Sequence, residues 1–70
     1  MLDFTVIIER DEEGWYTATV PALRGCHTQA KSLDKLNLRI REAIQAYLEA
    51  TGKPAKHCEF VGVQRVRVSA

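Results

Sequence analysis

The residues of this chain that could do chemistry are two Cys/His pairs, Cys26-His27 and His57-Cys58, and the acidic run Asp11-Glu12-Glu13. Two cysteines and two histidines could hold zinc if all four converged on one point at about 2.0–2.3 Å. Adjacent residues on a strand point to opposite faces, however, so neither pair converges from regular structure. The C-x2-C and H-x3-H spacings of zinc sites are also absent. The expectation is a small buried Cys26, a surface His57 in a helix-to-strand connection, and no metal or cofactor. Nucleophilic catalysis needs a thiol of lowered pKa, a base and a group that orients the base. No third residue is specified, so no catalytic residue is assigned. The acidic run has the length and position of a solvated hairpin loop rather than of a carboxylate metal site.

The elements that carry these residues follow from hydrophobic period. Leu2, Phe4, Val6 and Ile8 alternate with Asp3, Thr5, Ile7 and Glu9, which predicts a strand over about 2–9 with one face buried. Arg10 to Gly14 makes a polar loop whose glycine can take the left-handed conformation of a hairpin. Trp15 to Val20 returns as a second strand, with Tyr16, Ala18 and Val20 toward the core. Trp15 then covers the hairpin mouth or meets another subunit. Pro21 lacks a donor and ends the ladder. Ala22 to Gly25 turns the corner, and a third strand covers about 26–29.

Ser32 is a good N-cap, with Asp34 in the first turn. Leu33, Leu36, Ile40, Ala43, Ile44, Tyr47 and Leu48 recur at spacings of three and four, predicting a helix over about 33–51 with one apolar stripe. Gly52 and Pro54 stop it. Residues 59–68 are again extended, but Val61 and Val63 share one parity while Val66 and Val68 share the other. Either a bulge sits near Gln64-Arg65, or one half of the strand faces the core and the other a neighbouring chain. The second arrangement is preferred, because the small domain needs extra burial. The order is β-β-β-α-β, an α+β fold of two layers in which one long helix covers a small antiparallel sheet.

Seventy residues make a single domain. A chain of that length buries only about 60% of the surface its unfolded form exposes, so association with itself, as a dimer or tetramer, is expected. Charge sums to +1. Residues 1–35 hold four basic and six acidic side chains, and residues 36–70 hold six and three. The cationic second half, with Arg65 and Arg67 on the last strand, lacks the dense basic patch of an autonomous nucleic-acid binder. An oligomer that binds RNA or a ligand through that half is an alternative, with salt-dependent retention as its mark. No apolar run is long enough for a bilayer and no export signal opens the chain, so a cytoplasmic protein with free thiols is expected. Candidate partner contacts are Trp15, Arg65, Arg67 and Leu38, which falls opposite the helix's apolar stripe. Lys35 and Arg39, at i and i+4, repel each other weakly.

The run from Phe4 to Leu48 resembles the HicB-like antitoxin domain family, the UPF0150-type small proteins. The resemblance rests on Pro21-Ala22-Leu23-Arg24-Gly25-Cys26, then Thr28-Gln29, Ser32-Leu33, Arg41-Glu42-Ala43-Ile44 and Tyr47-Leu48. Pro21, Gly25, Cys26 and Ser32 are its structural motif. The chain departs from the family pattern at Ala30-Lys31, where Gly-Asp is common, and at Lys35, where an acid would complete a capping box. The resemblance implies a fold like a truncated ribonuclease H. It also implies a non-catalytic module that neutralises a small HicA-type RNA-cleaving toxin by covering its active site. Many members add a DNA-binding domain; none is expected here, nor direct DNA binding. A metal-dependent nuclease remnant is the competing implication. Asp3 is available to it on the first strand, but no later position completes a carboxylate set.

Overall fold

The computed structural model describes residues 2–52 and 59–69. Three strands, β1 (Ile7–Arg10), β2 (Tyr16–Thr19) and β3 (His27–Ala30), form an antiparallel meander in the order β1-β2-β3, and α1 (Leu33–Thr51) follows. The helix packs over β3 and β2. The result is an α+β arrangement of two layers.

Each ladder is four residues long, so the first two are shorter than the extended patterns that carry them. β1 pairs Ile7 with Thr19, so its next pair would place Val6 opposite Val20. There β2 leaves the sheet: the N–H of Val20 donates to the Cys26 carbonyl at 3.0 Å, and Pro21 follows without a donor. Residues 2–6 continue beyond the ladder, with Phe4 and Val6 packed against the core.

That core is Ala18, Val20, Leu23, Cys26, Ala30, Leu36 and Ile40, with Tyr16, Ala43, Ile44, Tyr47 and Leu48 partly buried around it. Even-numbered β2 residues face the helix, and Thr17 and Thr19 face away. No buried polar side chain occurs among the described residues. Leu33, expected in the apolar stripe, is exposed, because the first helical turn lies outside the patch formed by Leu36 and Ile40. Helix ends are satisfied locally. Ser32 Oγ accepts from the Lys35 N–H at 3.2 Å, and the Gly52 N–H, at φ +74°, donates to the Leu48 carbonyl at 2.7 Å.

The fourth extended segment differs from the other three. Residues 59–69 form no ladder with any described residue, and every one of them is exposed. A strand needs a hydrogen-bonding neighbour, and within one chain this segment has none among the described residues. His57 and Cys58, with Lys53 and Pro54, lie outside the described residues.

Candidate interaction surface

Two short turns build the corner between β2 and β3. The Leu23 N–H donates to the Val20 carbonyl at 3.1 Å, which places Pro21 at the second turn position, where its fixed φ is pre-set. The Cys26 N–H donates to the Leu23 carbonyl at 3.0 Å, with Gly25 third in that turn at φ +77°. A positive φ at that position defines a type II turn and favours glycine. The corner drives Leu23 into the core and buries Cys26 beneath it. Burial pushes the Cys26 thiol above its ordinary pKa. A raised pKa keeps the sulfur protonated, the reverse of what an activated nucleophile requires. His27 Nδ1 lies 3.1 Å from the Gly25 carbonyl, so its ring is engaged with the turn.

The acidic loop is likewise architectural. Asp11 Oδ1 accepts from the Glu13 and Trp15 N–H groups, both at 2.9 Å. The Gly14 N–H reaches the Asp11 carbonyl at 3.2 Å, and Gly14 has φ +86°. This is a type I turn followed by a left-handed glycine, one of the common three-residue hairpin loops. Among the described residues no three His, Cys, Asp or Glu side chains converge as metal ligands.

The outer face of the sheet, away from the helix, carries Ile7, Thr17, Thr19, His27 and Gln29. Thr17, His27, Thr28 and Gln29 line a shallow polar depression of about 330 Å³. Trp15 closes the face at the hairpin end. Lys31 Nζ lies 4.6 Å from the centre of its ring and donates to the Glu13 carbonyl at 3.2 Å. An exposed cation–π contact of this kind contributes about 0.5–1 kcal/mol. Trp15 therefore stands on a fixed support, half-buried, with its position set by a cross-strand neighbour.

On the opposite layer Leu38 is 64% exposed, pointing away from the sheet. Arg65 and Arg67 lie on the exposed segment 59–69. Trp15 and Leu38 thus lie on opposite layers, and Arg65 and Arg67 belong to neither. Two further contacts escaped the sequence reading. Arg39 Nη1 donates to the Gln29 carbonyl at 2.7 Å, so the cation that repels Lys35 along the helix has a backbone partner on β3. The Trp15–Lys31 contact follows once Tyr16 is known to pair with Ala30; strand register was the missing signal.

Residues 4–65 match the model of the HicB-like antitoxin of bacterial toxin–antitoxin systems. A UPF0150 protein of Archaeoglobus fulgidus is 54% identical over 67 residues, covering 96% of each chain. A UPF0150 protein of Synechocystis is 42% identical over 66 residues, covering 94% of each, and one of Thermotoga maritima is 35% identical, covering 93% of this chain and 88% of its own. The chain belongs to the HicB-like antitoxin family.

Proposed function

We propose that this protein is a non-catalytic binding module that neutralises a small RNA-cleaving toxin by covering its active site, working in the cytoplasm as a homo-oligomer. The family match across residues 4–65 carries the reading. The surface chemistry supports it: the outer sheet face is left uncovered by the helix and offers hydroxyl, amide and imidazole groups beside a supported tryptophan. Tryptophan is the residue type most enriched where binding energy concentrates. Arg65, Arg67 and Leu38 supply further contacts.

The test is co-expression with the product of a HicA-type toxin frame. Growth arrest by that product alone, relief by this protein, and recovery of both in one complex support the reading. Trp15→Ala weakens the complex by at least about tenfold if Trp15 is a central contact. Arrest that this protein leaves untouched, with no complex recovered, contradicts it.

A further inference from the structure

Among the described residues, each chain carries an extended segment without a ladder partner and a sheet edge in the same condition. The two edges of the sheet are not equivalent. Because the Val20 N–H bonds to Cys26, alternation along β3 turns the peptide groups of His27 and Gln29 toward its free edge. Arg39 occupies that edge by donating to the Gln29 carbonyl. On β1 the Asp11 N–H bonds to the Trp15 carbonyl, so Glu9 and Ile7 bond inward and the peptide groups of Ile8 and Arg10 point outward. No described residue bonds to them. On β3 the Gln29 carbonyl is thus taken by Arg39, whereas the outward groups of β1 have no partner among the described residues.

The helix-side face next to β1 is also unfinished. Ile8 lies opposite Ala18 on the core face, yet is 47% exposed while Ala18 is fully buried. A groove of about 570 Å³ runs between residues 2–4 and the helix, with Leu2, Phe4, Ile40, Ile44 and Leu48 as its apolar walls and Asp3, Asn37, Arg41 and Gln45 as its polar ones. Unpaired peptide groups beside an apolar trough are what an added strand requires.

Residues 59–69 match that requirement. They are eleven residues, an extended length of about 36 Å, against about 30 Å for residues 2–10. Their apolar side chains are bare: Val61, Val63, Val66 and Val68 are 91%, 84%, 66% and 76% exposed. Side-chain parity fits as well. With Phe60, Val66 and Val68 over the groove beside Phe4 and Ile8, Arg65 and Arg67 fall on the outer face, the face of Glu9. Val61 and Val63 then lie on the outer face with Ile7. The change of parity within the segment becomes one strand, with Phe60 inward and Val61 and Val63 outward in its first half, Val66 and Val68 inward against Arg65 and Arg67 in its second, and Gln64 the one polar inward residue between them.

We propose that residues 59–69 of one copy add to the β1 edge of a second copy, and the reciprocal pair of added strands holds a two-fold dimer. This takes the homo-oligomer of the proposed function as given and names its contact; it does not depend on the toxin. The exchange fills both grooves and both open edges at once.

The test combines light scattering of the full-length protein with NMR on a mixture of isotope-labelled and unlabelled copies. A dimer showing intermolecular contacts from the Val66 and Val68 methyls to the Phe4 ring is the expected result. Val66→Lys with Val68→Lys weakens dimerisation on the order of 100-fold or more, while helix content and Trp15 fluorescence show that the body stays folded. A monomer at every concentration overturns both the exchange and the oligomer. A dimer lacking those contacts, or indifferent to the double substitution, overturns the exchange alone. Contacts from those valines to Phe4 within one chain of a monomer place the segment in cis and likewise overturn it.

Discussion

Gly25→Ala isolates the energetic role of the corner better than any core substitution. At φ +77° an L-residue brings its Cβ too close to the following carbonyl, at a cost of roughly 1–2 kcal/mol. A Cβ built at Gly25 has no heavy atom within 4 Å, so no packing clash adds to that figure. The penalty is therefore conformational alone, and Asn, which tolerates the left-handed region, recovers a good part of it. For a 70-residue chain with an overall stability of about 3.5–10 kcal/mol, the alanine variant loses a substantial fraction. The melting temperature falls by about 4–16 °C. Urea denaturation followed by Trp15 fluorescence measures the loss, at one fixed protein concentration because any self-association adds to apparent stability. A neutral Gly25→Ala, or an asparagine variant no better than alanine, refutes the type II turn as the constraint on this residue. A loss far above 2 kcal/mol refutes the open space around it.

Leu36→Ala empties a fully buried position under the helix and costs about 2–5 kcal/mol by the same denaturation assay, enough to unfold a weak member of the stability range. Ser32→Ala removes the acceptor of the Lys35 N–H and costs about 0.5–2 kcal/mol, read as a loss of helix stability by circular dichroism on heating. In a Cys58→Ser background the remaining thiol, Cys26, reacts with Ellman's reagent far more slowly in the folded than in the urea-unfolded protein; equal rates contradict its burial. Its raised pKa has a defined sign. The folded state holds the proton more tightly, so this contribution is complete below the unfolded value and is lost as pH rises from there through the folded value. Alkaline stability accordingly falls more steeply than in Cys26→Ala from about pH 9 upward.

The three strands and the helix were legible because their signals are local. Ser32 and Gly52 punctuate the helix, and Leu36, Ile40, Ala43 and Ile44 fix its buried side without reference to the sheet. Gly14 and Gly25 announce turns that only a positive φ completes. What could not be read depends on register and on neighbours. Lys31 meets Trp15 because β2 and β3 align as Tyr16 with Ala30, and no periodicity states that alignment. Arg39 looked like half of a repulsive helical pair, since its carbonyl partner lies ten residues away on a strand. Ladder length was overestimated for β1 because its pattern continues where its partner has already turned at Val20 and Pro21. Residues 59–69 carry a clear strand pattern, but a pattern specifies propensity and not a partner. The family was visible in the Pro21-to-Cys26 corner, whose spacing is set by two consecutive turns.

The most direct test of the account is an RNA-cleavage titration. A purified HicA-type RNA-cleaving toxin is incubated with RNA and rising amounts of this protein. Cleavage that falls linearly and stops at a fixed stoichiometric ratio, with Trp15→Ala needing more protein to reach the same inhibition, is the predicted result. Cleavage that continues undiminished at large molar excess of folded protein contradicts the central claim that this chain acts by covering a toxin's active site.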